Sequence, residues 1–241
     1  MSRRIKYIAK GKHQTRPVKD KKQVNEILYY LLAKRDREKQ RGNLHRSWLY
    51  DRNYMLVLIG FNTAFRAEDL LQLKVKDLVH GHVCIKENKT GKTQVFNLKK
   101  ELLEIIRDYV YRNELTDYDY MFPSQRTDGQ IRAISRQQGD RIMRDIEEHC
   151  GIHYCFGLHS LRKTFGYQYY ADTHDVLTVM KMYNHDSPDV TMEYIMWNSN
   201  DTEKAREEFY IGVENKPKKR KKKAWFPDAK NNAHIFKNTR G

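Results

Sequence analysis

Cysteine is scarce in this chain. Its three cysteines, Cys84, Cys150 and Cys155, are too few and too irregularly spaced for a disulfide framework, and they read as reduced thiols of a cytosolic protein. No apolar run reaches the ~20 residues that a membrane-spanning helix needs. The opening residues, Met1-Ser2-Arg3-Arg4-Ile5-Lys6-Tyr7, hold no apolar signal core. No internal repeat is visible, which sets aside solenoid and propeller architectures. His149, Cys150, His153 and Cys155 lie close in sequence, but their spacing fits no usual zinc-ligand pattern and no second pair lies elsewhere. Acidic residues are outnumbered: 31 Asp and Glu stand against 46 Lys and Arg, giving a formal net charge of +15. An excess of that size favours a polyanionic partner, because each cation placed beside a phosphate releases a counterion.

The 241 residues suffice for one sizeable domain with a real core. Helical periodicity dominates. Asp20 is suited to cap a helix ending near Gly42, with Val24, Ile27, Leu28, Leu31 and Leu32 on its buried face. A second helix is expected over Leu44 to Asn62. Its run Tyr54-Met55-Leu56-Val57-Leu58-Ile59 is apolar on most sides, as a central core helix would be. A short helix anchored by Leu70, Leu71 and Leu73 leaves Arg66 at its N-terminal edge, where backbone amides favour an anion. Arg66 equally fits a surface arginine paired with Asp69 one turn on.

His82 to Lys86 and Thr93 to Leu98 alternate like strands, and Glu87-Asn88-Lys89-Thr90-Gly91-Lys92 between them is turn chemistry. This hairpin carries Lys89 and Lys92 at its tip, either as plain exposed lysines or as an ammonium brought beside a phosphate. Further helices are expected over Glu101 to about Asn113, Arg136 to His149 (capped by Ser135, stopped by Gly151), Leu161 to Tyr170 and Asp175 to Tyr183, the last with Val176, Val179, Met180 and Tyr183 facing inward. Asn184 tolerates a left-handed backbone and exposes His185 just past a helix end. Ser187-Pro188-Asp189 starts a helix that carries Tyr194, and a last helix fits Asp201 to Tyr210. The fold expected is mainly α with one small antiparallel hairpin. Residues 1–19 read as a basic arm, 20–213 as the folded domain, and 214–241 as a basic tail, solvated, DNA-contacting or resembling a nuclear localisation signal.

The most informative stretch runs from His159 to Tyr194. Arg162 offers a planar fork of donors for phosphate oxygens, His159 and His185 can move a proton near neutral pH, and a Tyr194 hydroxyl can serve as a covalent nucleophile. Together they suggest phosphodiester chemistry on nucleic acid without a metal.

Over roughly residues 18 to 212 the chain resembles the catalytic domain of the tyrosine recombinases, the phage integrase family. Thr63-Ala64-Phe65-Arg66-Ala67-Glu68-Asp69 is similar to the family's first-arginine segment, with Asp69 at the usually acidic position. Lys89 matches the hairpin lysine, with Lys92 as a second candidate. His159-Ser160-Leu161-Arg162 is similar to the HxxR box, His185 to the second His position, and Tyr194 to the nucleophile. Asn184 stands where members usually have Gly. The resemblance implies a DNA-cleaving enzyme with no cofactor and no metal. Tyr194 would attack the scissile phosphate, Arg66 and Arg162 would hold its non-bridging oxygens, and Lys89 would protonate the leaving 5′ oxygen. His159 would take the tyrosine proton, and His185 would bond the phosphate. It also implies double-stranded DNA as partner, four subunits on paired sites, a docking role for the last helix, and a place in the cell interior or on the nucleoid. Most members carry an N-terminal DNA-clamping helical domain; here a short basic arm precedes the catalytic region, and an accessory DNA-binding protein is one partner that could supply the clamp. Two other readings share these residues: a type IB topoisomerase that relaxes DNA, and a non-catalytic DNA-binding regulator.

Overall fold

The helix that is apolar on most sides lies at the centre. In the computed structural model, which describes residues 14–125, 132–209 and 211, α1 spans Lys21–Gln40 and α2 spans Leu44–Asn62. Every residue of α2 from Tyr54 to Phe61 is buried. A helix with no polar stripe there has nowhere to lie but inside. It packs against α1, α4 (Lys100–Arg112) and α6 (Leu158–Thr173). Asp20 caps α1 by accepting the Lys22 N–H at 2.8 Å, and Ile27 and Leu31 fill the core from its inner face.

After α2 come α3 (Ala67–Leu71), a 3-10 turn at Val75–Asp77, and the strands β1 (His82–Lys86) and β2 (Thr93–Asn97). The strands pair antiparallel, His82 opposite Asn97 and Lys86 opposite Thr93, and form the one sheet among the described residues. The remaining helices are α5 (Arg136–His149), α7 (Val176–Tyr183), α8 (Pro188–Ile195) and α9 (Ser199–Glu208). The mainly helical fold with a single hairpin is the expected one. The punctuation also agrees. Ser135 caps α5, Gly151 follows it with φ +61°, Asn184 is left-handed at φ 54°, and Ser187 with Pro188 opens α8.

Several boundaries differ, among them the end of α6 at Thr173 rather than Tyr170 and the start of α9 at Ser199 rather than Asp201. The sixth helix begins at Leu158, three residues before the expected start. The Ser160 hydroxyl accepts the Gly157 N–H at 3.1 Å while the Ser160 N–H donates to the Gly157 carbonyl at 2.8 Å, closing a first turn ahead of Leu161. His159 and Arg162 are therefore both helical and, three apart, share one face. Residues 14–19, expected within the basic arm, lie against α6. Val18 is fully buried, its N–H donates to Thr164 Oγ1 at 2.8 Å, and Gln168 Nε2 donates to the carbonyls of Val18 and Lys19. One apolar side chain and a bonded backbone tie down what composition alone made a tail. The rest of the arm, 1–13, the basic tail and Tyr210 at the expected end of α9 fall outside the described residues. No helix among the described residues is long and apolar enough to cross a membrane.

A second, smaller core sits beneath α6, α7 and α8. It is built from Ala64, Tyr167, Val179, Tyr183 and Ile195. Gly166 makes it possible: a Cβ there would meet the Tyr183 hydroxyl and stand 2.9 Å from Ile195 Cγ2. This close approach sets α6, which carries His159 and Arg162, directly against α7 and α8, which flank His185 and the second of which carries Tyr194.

Candidate active site

Tyr183 organises the site. Sequence periodicity placed it on the buried face of α7, and it has no exposed surface. Its hydroxyl donates to the Arg162 carbonyl. Its ring lies under the Arg162 guanidinium, 4.3 Å from the centroid. Its own carbonyl oxygen accepts from both arginines, Arg162 Nη2 at 3.1 Å and Arg66 Nη2 at 3.5 Å. Two guanidinium groups from residues 96 positions apart thus converge on one oxygen atom. Arg162 Nη1 also donates to the Ala64 carbonyl. Arg162 is 3% exposed, and burial pushes its guanidinium below its usual range while Tyr194 and Tyr183 work the other way. Backbone carbonyls and ring faces are what make a buried cation tolerable without a carboxylate in direct contact.

Arg66 does not pair with Asp69. Its Nη1 makes an ion pair with Glu87, a residue the sequence suggested only as part of a turn. Asp69, on the next helical turn, points to the hairpin instead and accepts the Asn88 N–H at 3.0 Å. The Glu87 carboxylate also accepts from Thr90 Oγ1 and from Gln94 Nε2, the latter at 2.6 Å. Burial pushes the Glu87 carboxyl up, but Arg66, Thr90 and Gln94 outweigh it and hold it below the usual carboxylate range.

His185 follows the left-handed Asn184. Its Nδ1 lies 3.1 Å from Thr191 Oγ1, and that hydroxyl donates to the Ser187 carbonyl at 3.1 Å. With the threonine proton committed to Ser187, the ring completes the chain as the Nδ1–H donor, so Nε2 of the neutral ring carries no proton. Burial, then Arg162 and Arg66, lower the His185 pKa against the pull of Asp186. The half-buried Tyr194 presents its ring to that of His185 at 5.1 Å and to that of Tyr183 at 5.4 Å. The Arg162 guanidinium stands 6.0 Å from its centroid. Burial raises the Tyr194 pKa, and Arg162 and Arg66 pull it back down.

His159 is half-buried on the same face as Arg162. Burial and the charges of Arg136, Arg162 and Lys163 lower its pKa, with Glu68 opposing, so the ring is neutral near pH 7. Lys163 escaped the sequence reading. It is 3% exposed, its ammonium has no hydrogen-bond partner among the described residues, and it sits 5.1 Å from the Tyr194 centroid. The only sequence signal was its place directly after Arg162. Arg66, Arg162, His185 and Tyr194 therefore come together, with His159 one helical turn away from Arg162. Lys89 is set apart. It is exposed at the hairpin turn and, among the described residues, its side chain makes no hydrogen bond or ion pair, as is also true of the Lys92 side chain. Its neighbours Asn88 and Thr90 are both tied down, by Asp69 and Glu87. Among the described residues no three His, Cys, Asp or Glu side chains gather as metal ligands, and His149 bonds the Asp145 carbonyl and stacks on Tyr30.

A hairpin beside a helical core, with arginines, histidines and a tyrosine at the junction, is the fold of tyrosine recombinase catalytic domains. The structure of a XerA recombinase superposes with a TM-score of 0.62 at 17% identity, covering 84% of this chain and 67% of that one. That of a XerH site-specific recombinase bound to palindromic difH substrate gives 0.60 at 22% identity, covering 83% and 54%. In sequence, a probable integrase/recombinase of Bacillus subtilis, YoeC, is 34% identical over 184 residues, which are 76% of this chain and 90% of that protein. The tyrosine recombinase XerA of Pyrococcus furiosus is 25% identical over 145 residues, 59% of this chain but 49% of its own length. The phage integrase family model matches residues 10–201, and the chain belongs to that family. It is a DNA-recombining enzyme of the tyrosine recombinase type.

Proposed function

We propose that this chain is a site-specific DNA recombinase in which Tyr194 cleaves one strand by transesterification. The Tyr194 oxygen bonds to phosphorus, the bond from phosphorus to the 5′ oxygen breaks, and the chain is left joined to a 3′ phosphate. Arg66 and Arg162 hold the two non-bridging oxygens, where charge accumulates in the five-coordinate transition state. His159, neutral in the free site, receives the phenol proton directly or through water. His185, braced by Thr191, turns Nε2 to the phosphate, and the bound anion favours the protonated ring that can donate from it. Lys89 gives a proton to the departing 5′ oxygen. A second 5′ hydroxyl then attacks the phosphotyrosine and reseals the strand. The phosphoester energy is kept in the covalent link, so resealing needs no nucleotide cofactor.

The observation that carries this reading is the meeting of both guanidinium groups on the Tyr183 carbonyl, beside the Tyr194 ring. Groups that share one oxygen in the free protein are close enough to share one phosphate. Strand exchange between two duplexes calls for four subunits, with α9 docking on a neighbouring copy. The test is a pool of nicked duplexes of randomised sequence, in which cleavage releases a short fragment and traps the adduct. The wild-type chain should become covalently attached to DNA and Tyr194→Phe should not. An adduct of equal yield from the Phe variant would remove Tyr194 from the role. Relaxation of a supercoiled plasmid without exchange between paired sites would replace recombination by a topoisomerase activity.

A further inference from the structure

The hairpin turn that bears Lys89 is not attached to the rest of the site by its strands alone. Glu87 ends the β1 side of the turn and is 2% exposed. One carboxylate oxygen pairs with Arg66 and accepts from Gln94 Nε2, and the other accepts from Thr90 Oγ1. The turn closes on the same residue, with the Glu87 N–H donating to the Lys92 carbonyl and the Gly91 N–H to the Glu87 carbonyl, both at 2.9 Å. Gln94 Nε2 also reaches the Met182 carbonyl at 3.4 Å, next to the Tyr183 carbonyl that both arginines share. Glu87 therefore touches the N-terminal edge of α3 and both sides of the turn, and through Gln94 it reaches the end of α7. A buried carboxylate gripped by a guanidinium and two further donors has one geometry.

We infer that Glu87 is a positioning residue for cleavage: its carboxylate yokes Arg66 to the turn carrying Lys89, so that the phosphate-binding cation and the proton donor to the leaving group move as one unit. This rests on the reaction proposed above. The step it serves has two proton transfers. As the bond from Tyr194 to phosphorus forms, the phenol proton goes to His159. As the bond to the 5′ oxygen breaks, a proton passes from the Lys89 ammonium to that oxygen. A bridging sulfur in place of the 5′ oxygen leaves as a thiolate, which needs no proton, and so removes the demand on Lys89 but not that on Arg66. The two ends of the yoke can be read separately in this way.

The probe is a nicked duplex recovered from the randomised pool by its attachment to the wild-type chain, resynthesised with a 5′ oxygen or a 5′ bridging sulfur at the cleaved position. Thr90→Val cuts the side-chain link from the Glu87 carboxylate to the turn, and with it the Lys92 N–H bond to Thr90 Oγ1, while the ion pair with Arg66 stays. Glu87→Gln disturbs both. A displacement on the order of 1 Å costs roughly 10²-fold in rate. Thr90→Val should cleave the oxygen ester about that much more slowly, match wild type on the sulfur ester, and recover with Thr90→Ser. Glu87→Gln should be slow on both esters and gain only part of its loss with sulfur. DNA binding by filter retention should be undiminished in each. Thr90 is exposed, so its variants carry the test if Glu87→Gln fails to fold. Equal losses on the two esters for Thr90→Val, or wild-type rates for both variants on the oxygen ester, overturn the yoke while the proposed chemistry stands. A wild-type chain that forms no adduct with any duplex overturns both.

Discussion

Gly166→Ala should cost stability and cleavage together, although the same change in most helices is favourable. On propensity alone the substitution gains about 0.5–1 kcal/mol. Here the new methyl group would meet the Tyr183 hydroxyl, 2.7 Å from Cζ of that ring and 2.9 Å from Ile195 Cγ2. Comfortable carbon contacts begin near 3.5 Å, so α6 must part from α7 and α8 by roughly 0.6–0.8 Å. Neither neighbour can yield alone, since Tyr183 and Ile195 are fully buried. Overpacking of that kind costs about 1–3 kcal/mol, which at mid-range exceeds the propensity gain by about 1 kcal/mol. Thermal unfolding followed by circular dichroism should show a midpoint lowered by a few degrees for a domain of this size. The Tyr183 carbonyl shifts with its ring, and a displacement approaching 1 Å predicts a cleavage loss of order 10²-fold. Tyr183→Phe alone removes a buried hydrogen bond, at about 1 kcal/mol. Combined with Gly166→Ala it also removes the atom in closest conflict, so the double variant should lose less than the sum of the singles by about 0.5 kcal/mol or more. A Gly166→Ala protein as stable as wild type, or strict additivity in the cycle, would refute the packing argument.

Three further outcomes are expected. Arg66→Ala strands the buried Glu87 carboxylate, a loss of about 3–5 kcal/mol by denaturant unfolding, and Arg66→Ala/Glu87→Gln should regain part of it; no regain would mean that the pair is not what stabilises Glu87. Arg162→Lys keeps the charge but not the fork across the Ala64 and Tyr183 carbonyls, so adduct formation should fall by ~10²–10³ with DNA affinity little changed, and a near-normal rate would show that charge alone suffices. The lowered pKa values of His159 and His185 mean that the unfolded chain binds protons first as pH falls. Stability from both is full above about pH 6.5 and is lost as pH drops toward their folded values, so His159→Gln should flatten the acid side of a stability–pH curve, and an unchanged slope would exclude His159 as its source.

What was legible in the sequence was whatever periodicity or local backbone chemistry determines. The central α2 could be read because its apolar run has no polar stripe, and Asn184 because few residues accept a left-handed turn. The six site residues could be nominated because their order along the chain resembles a family. Their mutual geometry could not. Glu87 looked like turn composition, since nothing local distinguishes a solvated glutamate from one folded back onto an arginine 21 positions earlier. Tyr183 was visible as a buried residue but not as the acceptor for two cations, because that role belongs to its backbone carbonyl, which every residue has. Lys163 was invisible for the opposite reason: lysine is expected outside, and its burial is imposed by α6 packing against the helices around it.

In the proposed cleavage, the charges around Tyr194 explain why a base is needed at all. In the free site Arg162 and Arg66 draw the phenol pKa down against burial. A phosphodiester bound between them turns those same donors toward its own oxygens and adds a negative charge beside the phenol. The help from the arginines fades when the nucleophile must ionise, while the penalty of burial remains. A proton acceptor must then take over, and it must be empty beforehand. Burial and three neighbouring cations, Arg136, Arg162 and Lys163, keep His159 deprotonated near neutral pH. The wild-type cleavage rate should therefore stay flat from about pH 7 downward to the lowered His159 pKa and fall below it. A rate that declines already around pH 7, in step with an ordinary imidazole, would mean that those cations do not hold His159 ready.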